Sequence, residues 1–175
     1  MNHDQLLDWA LHFTKISDKT HWLFVELLLA DGRKDVGEAT LPGQDPQVLA
    51  AAQQLADQAL QANWRQPSAF ATTHPPANLA QAAFVSAVDH ALWDLHAQQA
   101  DRSVCQMLVG ARRQEVPLYA NINRRTVERT PEAFAQSAVD AIAAGFYAFK
   151  IAPFDEVQPG HASLDGARDG IARSM

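Results

Sequence analysis

The chain has 175 residues, 47% hydrophobic and 19% charged, with a formal net charge of -6 and a pI near 5.5. That length and apolar content support a packed core rather than disorder, and the acidic balance argues against a nucleic-acid or anionic-membrane surface. Cys105 is the single cysteine, which excludes an intramolecular disulfide and a cysteine zinc cluster; the N-terminus lacks a signal-peptide pattern and no apolar run reaches membrane-span length, so the expected setting is soluble, reducing and cytoplasmic.

Between Leu7 and Ile16, Trp9, Leu11 and Phe13 alternate with Ala10, His12 and Thr14, the period-two pattern of a half-buried strand. Ser17 to Thr20 reads as a short polar loop and Trp22 to Leu29 as a second strand. Asp31-Gly32 then predicts a hairpin turn into a return strand over Lys34 to Thr40. After Leu41-Pro42-Gly43, Asp45 and Pro46 read as N-cap and first helical residue, followed by Val48, Leu49, Ala52, Leu55, Ala56, Ala59 and Leu60 at helical spacing. Beyond an irregular stretch from Asn63 to Ala77, Asn78 with Gln81 marks the capped start of the longest helix, whose stripe is Phe84, Ala87, Val88, Ala91, Leu92 and Leu95. Ser103 with Gln106 repeats the signal for a short helix ended by Gly110. Strands followed by helices predict an α+β domain over residues 1–112.

From Val116 the pattern changes. Val116 to Ile122 reads as a short strand ending in Asn121-Ile122-Asn123. Thr130-Pro131-Glu132 opens a helix that Gly145 stops, and Gly145 to Phe154 reads as a buried strand. Strand, helix and strand at this spacing predict parallel pairing with the helix outside, and Ser163 to Arg173 reads as the start of another helix. Alternation would put Phe146, Ala148, Lys150 and Ala152 on one face, with Tyr147, Phe149 and Ile151 on the other. A lone cation aimed into an enclosed face needs a partner, which makes Lys150 the leading candidate for chemistry. Asn121, near the end of its strand, is a candidate polar contact. His74, His90 and His96 lack a second ligand at metal-binding spacing. Asp155, Glu156, Asp165 and Asp169 read as surface acids, Glu38 as a pairing group within the sheet, Asp94 as a helix-surface or interdomain contact, and Cys105 as a buried apolar thiol.

Taken together, Asp31-Gly32 followed by Gly37-Glu38-Ala39, the Ala91 to Leu95 segment Ala-Leu-Trp-Asp-Leu, Val104 to Gly110, and Phe149-Lys-Ile-Ala-Pro-Phe154 after the strand–helix–strand unit resemble the enolase superfamily. Within it, the chain resembles the mandelate racemase and muconate lactonizing enzyme branch. The resemblance implies an α+β capping domain (a three-stranded antiparallel meander followed by helices) over residues 1–112, joined over residues 113–175 to the start of a (β/α)8-type barrel. It also implies Mg2+ held by carboxylates on three later strands, and abstraction of a proton α to the carboxylate of a small substrate such as an acid sugar. The implied classes are lyase or isomerase, an acid-sugar dehydratase or racemase, assembled as a homo-oligomer. Lys150 matches the first lysine of the family's Lys-x-Lys strand. The second position is Ala152, which favours a relative using a His/Asp pair from late strands over a lysine base. Thr20, His21 and Trp22 match a loop that in the family reaches over the barrel mouth and helps select substrate. Only sixty residues run from Val116 onward, whereas a whole barrel needs ~200 or more. The metal-binding strands are therefore expected to lie outside this chain, leaving it inactive alone. The alternative is a non-catalytic interaction or oligomerisation module made of a capping domain and a barrel stub.

Overall fold

The alternation at the start of the chain becomes a three-stranded antiparallel sheet in a computed structural model that describes residues 5–18, 20–108, 110, 113–154, 170 and 172. The chain divides into two compact units, residues 1–112 and 113–175. In the first, β1 (Leu6–Ser17), β2 (Thr20–Leu29) and β3 (Lys34–Glu38) lie side by side in that order, with β1 and β2 antiparallel from Leu6↔Leu29 to Ser17↔Thr20 and the register shifting between Leu6 and Asp8 and between Lys15 and Ser17. The β2–β3 turn closes through Gly32 N–H donating to the Leu29 carbonyl (3.0 Å) and Leu29 N–H donating to the Arg33 carbonyl (2.8 Å). Gly32 sits at φ +90°, the left-handed position that a three-residue hairpin assigns to glycine.

Leu23, Val25, Leu27 and Leu29 of β2 are buried against helices, while Trp22, Phe24 and Glu26 keep the opposite face partly open. The covering helices are α1 (Asp45–Leu60) and α3 (Leu79–Gln99), supplemented by the short α2 (Ala69–Thr73) and α4 (Val104–Leu108). Phe84, Val88, Ala91, Leu92 and Leu95 of α3 are wholly inaccessible, and the Trp9 ring meets Phe84 edge-on at 6.1 Å, a contact worth about 0.5–1.5 kcal/mol beyond its buried area.

The local start signals hold with one correction. Asn78 accepts from the Gln81 N–H (2.9 Å), while Gln81 Oε1 takes the N–H of Ala77 rather than that of the cap itself. Ser103 and Gln106 make the full reciprocal exchange, at 3.2 and 2.9 Å. The correction concerns α1: its cap is Gln44, without a side-chain bond, and Asp45 is already helical. The Asp45 carboxylate turns instead to His21, while remaining in the first turn where the helix dipole favours an anion. Cys105 also departs from expectation. It is exposed, because α4 buries none of its residues, and its thiol points to the Gly110 carbonyl at 3.6 Å. No helix among the described residues is long and apolar enough to cross a membrane.

The second unit holds β4 (Ala120–Asn121), α5 (Pro131–Ala143) and β5 (Phe149–Lys150), with β4 and β5 parallel. Its core is Ile122, Phe134 and Ala141, packed round by Ala120, Ala138, Phe146 and Ile151. Both strands are shorter than their apolar patterns suggest, and Val116 and Leu118 are exposed. Thr130 caps α5 by accepting from the Ala133 N–H. At the other end, Gly145 (φ +91°) donates to the Ile142 carbonyl and Phe146 to the Ala141 carbonyl, the paired bonds of a Schellman motif. That motif draws Phe146 onto the helix beside Ile151. The expected face shared by Phe146 and Lys150 therefore does not form, because strand alternation begins only after the cap. Asp155, Glu156, Asp165 and Asp169 lie outside the described residues, as does the expected helix over Ser163 to Arg173 except for Gly170 and Ala172, both helical.

Candidate functional site

Asn121 and Lys150 are register partners across the two parallel strands, and such partners point to the same face. Ala120, Ile122 and Ile151 pack toward α5, so Asn121 and Lys150 point away from the helix, where both are exposed. An ammonium beside an amide on an open strand pair can receive a carboxylate through a charge-assisted hydrogen bond and a neutral one. No ion pair to Lys150 is formed among the described residues, and no wall of the described residues encloses it.

Just beyond the strand ends lies a polar network that the sequence did not single out. Asn123 Oδ1 accepts from the Ala152 N–H (3.1 Å) and from Arg129 Nη2 (2.9 Å). Arg129 Nη2 also donates to the Ala152 carbonyl (2.8 Å) and Nη1 to the Asn123 carbonyl (2.9 Å), with the guanidinium 4.6 Å over the Phe134 ring. Thr126 Oγ1 donates to the Ile122 carbonyl (2.9 Å) and lies 2.8 Å from Ser137 Oγ, which pins the intervening loop to α5. Arg125 pairs with Asp140 at the surface. The available signal was Asn121-Ile122-Asn123 itself, polar residues at the C-terminal end of a strand.

In the first unit, Thr20, His21 and Trp22 follow a tight turn in which Ser17 pairs with Thr20. Alternation sends His21 and Trp22 to opposite faces, so the three are not gathered into one surface. His21 Nδ1 lies 2.8 Å from Asp45 Oδ2 with its ring against Phe13, centroids 4.6 Å apart. Beside this pair is an apolar groove of about 430 Å3 lined by Leu11, Phe13, Leu23, Pro46 and Leu49. Trp22 instead meets Phe24 edge-on, and Thr20 is half-buried.

Asp94 is half-buried on α3. It hydrogen-bonds Asp35 of β3, whose carboxylate also takes the Gln98 amide. Burial first, then the neighbouring Asp94, push the Asp35 carboxyl up to about 6. A carboxyl raised above its unfolded value of 3.8 stabilises the fold in full below that value and loses the contribution as pH rises through about 6. Acidification from pH 7 to 5 is therefore expected to favour the native state at this pair. Thermal melts at the two pH values should show a smaller shift of that sign in Asp94→Asn than in the native chain.

Among the described residues no group of three His, Cys, Asp or Glu side chains could hold a metal ion. The ends of β4 and β5 present Asn121, Lys150 and Ala152 rather than carboxylates, so the described residues do not fit the Mg2+ that the resemblance implies. His74 is spent on the Phe70 carbonyl and the Phe70 ring, while His96 Nδ1 and Asp89 Oδ1 are buried without a hydrogen-bond partner.

The family model for the mandelate racemase / muconate lactonizing enzyme N-terminal domain matches residues 9–110, more than half of the chain. The chain belongs to the mandelate racemase/muconate lactonizing enzyme family. It is 30% identical over 168 residues to a D-gluconate dehydratase from Thermoproteus tenax, covering 85% of this chain and 33% of that protein. A mandelate racemase/muconate lactonizing enzyme from a Sulfitobacter species superposes with a TM-score of 0.76 at 20% identity, over 97% of this chain and 48% of that one. An enolase from Agrobacterium radiobacter, whose crystal structure holds sodium and L-malate, superposes with a TM-score of 0.71 at 25% identity, over 97% and 43%. The family's capping domain, a three-stranded antiparallel sheet followed by helices, is thus joined to the first part of a barrel. The chain spans about a third of its curated relative and about half of these solved structures.

Proposed function

We propose that this family member supplies the lid and first strand–helix–strand unit of an acid-sugar dehydratase or racemase, with Lys150 and Asn121 receiving a carboxylate of the substrate. The observation that carries this reading is their common exposed face at the C-terminal ends of two parallel strands, where barrel enzymes gather their sites. The likeness to a D-gluconate dehydratase, and to an enolase holding L-malate, supports a small acid as substrate. Removing a proton α to a carboxylate builds charge on its oxygens, and a fixed cation beside them lowers the energy of that state. Ala152 offers no base, so on this reading proton abstraction falls to a His/Asp pair on later barrel strands, where carboxylates would hold the Mg2+ that the family implies and the metal would supply Lewis-acid stabilisation. The chain by itself would then bind without turnover, within a cytoplasmic homo-oligomer.

The test is a chimera in which this chain replaces the N-terminal third of the Thermoproteus tenax D-gluconate dehydratase. With Mg2+ and a panel of aldonic and aldaric acids, it is expected to form α-keto acid, while the native chain alone forms none. Lys150→Ala should lower kcat/KM about 100-fold, roughly 2.7 kcal/mol. A folded chimera that dehydrates none of the acids, or one indifferent to Lys150→Ala, would sink the reading. The exposed Val116, Leu118, Tyr119 and Phe149 favour one other reading, an interaction module, since apolar surface of this kind marks contact sites. A stable homodimer in sedimentation, coupled with an inert chimera, would support it.

A further inference from the structure

We infer that Arg129 is a positioning residue which, acting through Asn123, fixes the main chain at Ala152 and so sets the spacing of Asn121 and Lys150. For its functional meaning the inference rests on the proposed carboxylate cradle; the clamp itself is a matter of geometry. Regular pairing covers two residues on each strand, and the flanking ladder bonds are Ala120 N–H to the Ala148 carbonyl (2.9 Å) and Ile122 N–H to the Lys150 carbonyl (3.2 Å). So short a pairing leaves register weakly specified unless something beyond the strands holds it.

Arg129 and Asn123 do so by gripping both main-chain groups of Ala152. Its N–H donates to Asn123 Oδ1 and its carbonyl accepts from Arg129 Nη2, while the same guanidinium holds the side chain and carbonyl of Asn123. The three residues form a closed ring of hydrogen bonds two positions past Lys150 and two past Asn121. The guanidinium plane is set by Phe134, itself 2% exposed, so the clamp is anchored in the core of its unit. A lysine could not substitute, because a point charge cannot span the acceptors that the planar fork reaches, the Asn123 side chain and the Asn123, Thr126 and Ala152 carbonyls. Where the resembled strand motif would carry a second lysine side chain, this chain fastens the backbone.

Amide hydrogen exchange of the native chain, followed by NMR, tests the clamp, with the Val25 and Phe134 amides reporting that each unit stays folded. Arg129→Met, Arg129→Lys and Asn123→Leu are expected to speed exchange at Ala152 by ~10-fold or more, as local opening loses its restraint. Asn123→Asp should preserve protection, since a carboxylate accepts from both donors. Malonate, titrated as a plain carboxylate probe, should shift the Asn121 and Lys150 amides, with affinity at least five-fold weaker in Arg129→Met and retained in Asn123→Asp. Unchanged Ala152 exchange in folded Arg129→Met would overturn the inference. If exchange accelerates but malonate shifts neither amide in the native chain, the clamp stands and the carboxylate reading fails.

Discussion

Replacing Gly37 by alanine is expected to lower the melting temperature of the first unit by about 12 °C or more, or to leave the chain insoluble. Gly37 lies on β3 opposite Val25, and a Cβ built there would stand 2.8 Å from Ala87 Cα and closer still to the Ala87 carbonyl. The obstacle is main chain in the interior of α3, at a residue with no exposed surface, so no rotamer change relieves it. Either β3 must separate from β2 or α3 must lift off the sheet. Overpacking a core usually costs about 1–3 kcal/mol and more where backbone must move; at ~3 kcal/mol, and about 4–8 °C per kcal/mol in a unit of this size, the predicted drop follows. Gly32→Ala is the control: nothing lies within 4 Å of its added Cβ, and the left-handed φ of +90° alone costs about 1–2 kcal/mol. Far-UV melts of the two variants beside the native chain decide the matter. A Gly37→Ala melt no lower than that of Gly32→Ala would disprove a backbone-to-backbone contact between β3 and α3.

Gly37-Glu38-Ala39 was recognisable as a motif, yet its reason was invisible in the sequence because Ala87 lies fifty residues away in the chain. The same divide runs through the whole molecule. Features settled by neighbours a few residues apart were legible: the Ser103–Gln106 exchange, the Thr130 cap, the Gly32 hairpin and the Gly145 stop. Local reading failed where a distant group competed. Asp45-Pro46 has the form of a cap, but His21 takes the carboxylate. Val116 to Ile122 has the form of a strand, but alternation describes which side chains could face a core, not whether a partner strand is present to pair. Asn121 and Lys150 were found because each sits at the end of a strand in one crossover unit, and parallel register then brings them together. The Arg129 clamp was not, since its bonds reach across 23 residues to Ala152 and join Asn123 to Ala152 across 29.

Phe134→Ala is expected to dismantle the candidate site without touching either of its exposed side chains. Among the described residues of the second unit the buried hydrophobic cluster is Ile122, Phe134 and Ala141, and Phe134 is by far the largest of them. Truncating a buried phenylalanine costs about 3–5 kcal/mol from lost transfer energy and the cavity left behind. Among the described residues no second layer lies behind this cluster to collapse into the gap, and the same change removes the ring beneath the Arg129 guanidinium. Amide protection across residues 120–152 should therefore be lost, and malonate should no longer shift Asn121 or Lys150. The Val25 and Leu92 amides should keep their protection, because they belong to a separate cluster built on β2 and α3. Phe134→Leu retains most of the apolar volume and should cost ~1 kcal/mol, with protection largely kept. Persistent protection of 120–152 in Phe134→Ala would mean that the parallel pair is held by something other than the Ile122–Phe134–Ala141 core, and the dependence of the Asn121–Lys150 face on α5 would have to be abandoned.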